Sequence, residues 1–228
     1  MRIARLLTWP LDVVAPETCA GCGLPGEAIC AECRAALVPP GPPACARCGH
    51  PWAVPTPACA ECPPRIDRLR FAGAYAGPVP AIVAAFKDGR RRGLADDLAA
   101  AIARVAPRDR GATLVPVPLA PSRHAVRGFN QAELIARALG RRWGAPVVPV
   151  LERVRDDPPQ RGASATDRAV QVRGAFAVRR GLLAPQDVCL VDDVCTTGAT
   201  LAACARTLRR SGARRVVAIA AARVLHAP

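Results

Sequence analysis

The chain has 228 residues, 51% of them hydrophobic and only 4% aromatic, which suffices for an α/β domain with a small appendage and excludes a disordered composition. Its formal charge of +14 rests almost wholly on arginine, since Lys87 is the one lysine. Such a chain suits a polyanionic partner, although a general bias towards arginine explains the same excess. No stretch approaches the roughly 20 apolar residues that span a membrane, and MRIARLLTWPLDVVAP lacks the apolar run and cleavage site of a secretory signal, so a cytosolic protein without membrane insertion is expected.

Composition changes near residue 65. Residues 17–64 hold eight of the eleven cysteines, many prolines and little periodic hydrophobicity. CAGCGLPGEAICAEC (19–33) and CARCGHPWAVPTPACAEC (45–62) repeat one form, CxxCG…CAEC, with seven and ten residues between the pairs. A CxxC turn presents two thiolates to one tetrahedral Zn²⁺, so Cys19, Cys22, Cys30, Cys33, Cys45, Cys48, Cys59 and Cys62 are expected to hold two structural zinc ions. Zinc-bound thiolates would take four charges off the formal total. Disulfides or an iron–sulfur cluster would use the same thiols, but a reducing compartment disfavours the former. The repeat favours one ion per copy, and an interleaved pairing stays open. His50 is expected at the surface, and Cys189, Cys195 and Cys204 as small packing residues.

Beyond residue 66 the pattern alternates. Strands are expected at 70–77, 112–119, 145–151, 188–194 and 214–224, with a short one near Phe176. Helices are expected at 78–89, 93–107, 130–144 and 198–213. Strands alternating with helices of this length predict βαβ units and a mostly parallel, doubly wound sheet. The expected division is a zinc module over 1–66 and an α/β domain over 67–228. Residues 152–180 look like a long functional loop.

The segment VCLVDDVCTTGAT (188–200) carries the most chemistry. An apolar strand ends in two carboxylates and passes through a threonine loop into a helix. The amides of such a helix start bind phosphate, Gly198 permits close backbone approach, and Thr196, Thr197 and Thr200 add hydroxyls. Asp192 and Asp193, one sugar-length upstream, would accept hydrogen bonds from ribose hydroxyls. Acids and phosphate loop therefore serve one ligand, a ribose 5-phosphate.

This arrangement resembles the phosphoribosyl pyrophosphate (PRPP) signature of type I phosphoribosyltransferases. With the cysteine pairs, VPVPL (115–119) and RGFNQ (127–131), nearly the whole chain resembles the ComF family of DNA uptake and natural competence. The resemblance implies a type I phosphoribosyltransferase fold and PRPP bound with Mg²⁺. It implies Asp192 and Asp193 as the catalytic acids. Thr196, Thr197, Gly198, Ala199, Thr200, Val117, Lys87 and Arg127 would bind PRPP. Asn130 and Gln131 would line the same mouth, with Asn130 also capping its helix. In 160–176, Gln160, Arg168 and Phe176 match expected family positions, whereas Gln171 replaces the usual Asn and Ala163 the usual Leu. Lys87 is singled out because a compact ammonium reaches pyrophosphate oxygens that a planar guanidinium does not fit. His124 is expected to face solvent or phosphate. No base-recognition segment is identifiable, so the phosphoribosyl acceptor stays open. The alternative is a non-enzymatic zinc-ribbon module that keeps the PRPP fold and contacts single-stranded DNA or a DNA-uptake helicase; few aromatics argue for electrostatic rather than stacking contact.

Overall fold

The computed structural model describes residues 17–89, 91–108, 111–156 and 172–225. Four strands form a parallel sheet: β1 (Arg68–Ala74), β2 (Thr113–Pro116), β5 (Asp187–Cys195) and β6 (Arg215–Arg223), in the order β1-β6-β5-β2. A separate antiparallel pair joins β3 (Leu151–Arg153) to β4 (Phe176–Val178). Among the described residues six helices accompany them: α1 (Ala31–Ala35), α2 (Val79–Lys87), α3 (Leu94–Val105), α4 (Pro121–Arg127), α5 (Gln131–Trp143) and α6 (Ala199–Arg210).

The central strands are apolar on both faces, as strands covered by helices on each side must be. Cys189, Val191, Val217 and Ile219 face α2, α3 and α5, whereas Val188, Leu190, Val216 and Ala218 face α6, the β3–β4 pair and the second cysteine quartet. Adjacent residues therefore serve opposite cores. This alternation fixes register, because a slip of one residue would exchange the two faces. Helix α5 starts where Asn130 Oδ1 accepts from the Ala132 amide (3.1 Å), and it ends at Gly144 in the left-handed conformation.

Three expectations change. The strand expected at 145–151 shrinks to a bridge between Val147 and Leu114, closed by Leu114 N–H to Pro146 O and Val148 N–H to Leu114 O, both 2.9 Å. Pro146 and Pro149 have no N–H to extend it, so the regular strand starts at Leu151. Helix α4 was not expected. It has no buried residue and hence no apolar stripe to announce it, although Pro121 starts it and Gly128 (φ 73°) stops it. Asp156 steadies its first turn, accepting from the Ser122 amide and hydroxyl at 2.7 and 3.0 Å. His50 is 1% exposed rather than superficial; its Nδ1 lies 2.8 Å from Pro51 O. Of the expected loop at 152–180, residues 157–171 lie outside the described residues, and with them Gln160, Ala163, Arg168 and Gln171.

Among the described residues no helix is long and apolar enough to cross a membrane.

Candidate functional site

Two clusters of chemistry-bearing side chains stand out. The first is the pair of cysteine quartets. Cys19, Cys22, Cys30 and Cys33 converge, as do Cys45, Cys48, Cys59 and Cys62, with the four sulfurs of each set within 4.8 Å of one another. Each repeat thus gathers its own quartet, and the interleaved pairing is excluded. The local geometry recurs: Gly23 N–H donates to Cys19 O (2.9 Å), as Gly49 N–H does to Cys45 O (2.8 Å), and both glycines have positive φ. Burial opposes ionisation of Cys19, but the amides of Cys30, Cys22 and Gly21 outweigh it and draw the thiol down to about 6. Burial, joined by neighbouring thiols, pushes Cys33 well up. In the second quartet Cys45 falls to about 7, because the amides of Cys48 and Arg47 and the thiol of Cys62 overcome its burial, while Cys59 rises. Four thiols at van der Waals distance cannot all shed protons unless a cation takes up the charge. All-sulfur tetrahedral sets suit Zn²⁺ in a closed structural site.

The second cluster is a cleft of 290 Å³ at the carboxyl ends of the parallel strands. That is where ligands bind in open α/β sheets. Asp192, Asp193 and Thr196 line it from β5 and the loop after it, Thr200 from the first turn of α6, Lys87 from the end of α2, Val117 from the loop after β2, and Arg127, Asn130 and Gln131 from the α4–α5 corner. Most of the residues proposed from sequence therefore meet around one space. Thr197, Gly198 and Ala199 do not line the cleft but form the turn between Thr196 and Thr200: Gly198 (φ 76°) precedes α6, and Thr197 Oγ1 accepts from the Ala199 amide at 3.4 Å.

Charges in the cleft are interlocked. Lys87 Nζ lies 3.0 Å from Asp193 Oδ2, and Arg127 reaches Asp88 at 3.4 Å. Asp193 Oδ1 accepts from the Val194 amide at 2.6 Å, and Asp192 Oδ1 from the Asp193 amide at 2.9 Å. Asp192 is half-buried on the cleft wall, with protein packed closely around it. That desolvation, with Asp193 as a like charge, outweighs Lys87 and the Asp193 amide and pushes its carboxyl up to about 8. Asn130 does a second task beside capping, since its Nδ2 donates to Val117 O at 2.9 Å and ties the VPVPL turn to α5. Gln131 is 2% exposed, and its Nε2 has no hydrogen-bond partner among the described residues. A buried, unsatisfied donor on a cleft wall is costly unless a ligand or water takes it up.

Tyr75, Arg123 and Arg153 also line the cleft and were not foreseen. They come from three separate segments, and only the chain's path brings them together. His124 is exposed and lines a neighbouring hollow with Glu133 and Arg179 instead. Cys189, Cys195 and Cys204 are buried packing residues, as expected.

Paired four-cysteine knuckles docked on a parallel α/β sheet, with an acid pair and threonine loop at the strand ends, define a zinc-ribbon protein with a phosphoribosyltransferase-like domain. Comparison with known proteins supports the zinc ribbons and finds relatives along most of the chain. The family model of the double zinc ribbon domain matches residues 10–63. Competence protein F of Haemophilus influenzae is 32% identical over 76% of this chain and 82% of its own length. DNA utilization protein YhgH of Salmonella typhimurium is 36% identical over 75% and 80%. Competence protein ComFC of Bacillus subtilis is 29% identical over 82% and 80%. The chain belongs to this ComF family.

Proposed function

We propose that this protein is a PRPP-binding, phosphoribosyltransferase-like member of the ComF family that serves the handling of incoming DNA. The observation that carries the ligand assignment is the meeting of Lys87, Asp192, Asp193 and the threonine loop around one cleft. Thr196, Thr200 and the amides at the start of α6 hold the 5-phosphate, and the two carboxylates receive the ribose hydroxyls. Lys87 exchanges its Asp193 partner for pyrophosphate oxygens when ligand enters. Arg127 adds a second cation there, and the unpartnered Gln131 amide gains an acceptor. The carboxylate oxygens of Asp192 and Asp193 would also suit Mg²⁺, a hard cation that would arrive with PRPP and supply positive charge against the leaving pyrophosphate.

Displacement of pyrophosphate by a nitrogen nucleophile needs positioning and charge stabilisation rather than a covalent protein nucleophile. The cleft supplies both through Lys87, Arg127 and the paired acids. The link to DNA rests on the names of the relatives, competence protein and DNA utilization protein.

The test is calorimetric titration of the zinc-loaded protein with PRPP, with and without Mg²⁺, beside Asp192→Asn/Asp193→Asn. Magnesium-dependent binding that the double variant loses is the expected result. Absence of binding by the parent protein would refute the assignment.

A second reading, electrostatic contact with single-stranded DNA, is favoured by a hollow at the opposite end of the sheet. Its described lining includes Arg68, Arg70, Arg108, Arg215 and Trp143, and no carboxylate. Contact there with DNA phosphates should weaken steeply as salt rises. An affinity unchanged between low and moderate salt would count against it.

A further inference from the structure

The residue that follows the second cysteine quartet packs directly on the threonine loop. A Cβ added at Gly198 would stand 2.5 Å from Pro63 Cγ and 2.8 Å from Pro63 Cβ. Pro63 is buried and directly follows the ligand Cys62. The ring of the residue next to a zinc ligand thus closes the back of the loop whose Thr196 and Thr200 face the cleft.

A second tie runs through Arg223, the last residue of β6 and 2% exposed. Its guanidinium donates to Cys48 O and Glu61 O, both at 2.7 Å, so it grips one zinc ligand and the residue before another. Across the sheet its backbone pairs with Cys195, where the loop departs. Four thiolates around Zn²⁺ carry a net negative charge, and Arg223 offers the opposite charge beside them from within the protein. Arg47, inside the Cys45–Cys48 turn, completes the frame by donating to Ile66 O at 2.7 Å and Pro63 O at 3.4 Å. The first quartet faces elsewhere, with Gly21 packed on Pro78 at the start of α2 and Arg34 paired with Asp97 of α3 at 3.6 Å.

We infer that zinc at Cys45, Cys48, Cys59 and Cys62 is energetically coupled to phosphate-ester binding at the threonine loop, with Pro63 and Arg223 as the positioning residues, and that zinc at the first quartet is not so coupled. This rests on the reading of the cleft as a PRPP site. Loss of the second zinc releases Pro63 from behind Gly198 and frees the loop. Ligand binding must then supply the ordering that the knuckle otherwise provides in advance. Linkage makes the effect reciprocal: ligand in the cleft tightens the second zinc by the factor by which that zinc tightens the ligand.

The test uses the full, doubly zinc-loaded chain. Zinc retention against a colorimetric chelator is measured at equilibrium with and without Mg-PRPP, and the same samples are titrated calorimetrically with PRPP. Cys22→Ser, which impairs the first quartet at an exposed ligand, identifies which zinc is which. Saturating PRPP should raise retention of the second zinc about 10-fold, within the usual range of such couplings, and leave the first unchanged. Pro63→Ala and Arg223→Met, each checked for two bound zinc ions, should cut that shift to about twofold or less. Should Arg223→Met fail to fold, Pro63→Ala carries the comparison alone. PRPP binding by calorimetry with no shift, or with equal shifts at both zincs, overturns the coupling and leaves the ligand assignment standing. Absence of PRPP binding removes both.

Discussion

In the first knuckle Cys22 is exposed and the neighbours are helices α2 and α3; in the second Cys45 and Cys48 are buried against the sheet, and Arg223 reaches in from β6. Both knuckles are built from one repeat and share one turn geometry. Their surroundings differ because β1 begins just after Cys62, which places the second copy against the strand ends and leaves the first to lean on α2. A repeated motif therefore fixes what each copy binds. What the bound ion does for the rest of the molecule is decided by the residues around it.

The largest separation between the copies is expected from removing a ligand in each. Cys48→Ser should lower Tm by roughly 10 °C or more, corresponding to several kcal/mol in a chain of this size, and should weaken PRPP binding about 10-fold, the reciprocal of the zinc shift. Cys22→Ser should cost less than about half of that and keep PRPP affinity within roughly twofold. Differential scanning calorimetry with titration decides it, and equal losses would mean that the copies are equivalent. A finer comparison uses two glycines of similar backbone. Gly23 has φ 79° with open space around it, whereas Gly198 has φ 76° with Pro63 behind it. Gly23→Ala should cost about 1 kcal/mol, or 2–4 °C in Tm, and Gly198→Ala about twice as much. Matching Tm shifts would show that Pro63 does not press on the loop.

Smaller effects belong to the cleft. Lys87→Arg should weaken Mg-PRPP about 10-fold in calorimetry, because a planar fork replaces a point charge, with Tm unchanged. An unaltered affinity would return Lys87 to the surface. The smallest expected effect is a gain in stability. Asp192 has its carboxyl raised to about 8. Between about pH 4 and 8 the folded protein therefore holds a proton that the unfolded chain has released, and stability falls as pH rises through that window. Asp192→Asn removes the titration. At pH 8 it should raise Tm by about 2–4 °C, even as it costs ligand binding, and the advantage should vanish near pH 4. A Tm difference that does not change with pH would refute this account.

The sequence exposed whatever is local. Apolar runs such as VVAIAAA revealed the central strands, CxxC turns the zinc sites, and DDVCTTGAT the acids and the loop in their order. Helix α4 escaped because it buries nothing, and its signals were only Pro121 and Gly128 at its ends. The strand expected at 145–151 was misjudged because Val147, Val148 and Val150 favour extended chain while Pro146 and Pro149 deny it a ladder. Tyr75, Arg123 and Arg153 enter the cleft from distant segments, and no spacing rule joins them. The wedge of Pro63 behind Gly198 spans 135 positions and could be found only in three dimensions.

One further consequence follows from the borders of the sheet. Beyond β2, Pro146 and Pro149 limit pairing to the bridge at Val147. At the other border, the Leu69 amide of β1 donates at 2.9 Å to Arg47 O within the Cys45–Cys48 turn. An uncovered strand border is a template for pairing with another chain. The same turn that holds zinc thus covers the border of β1, and a chelator should leave that border open to pair with another chain.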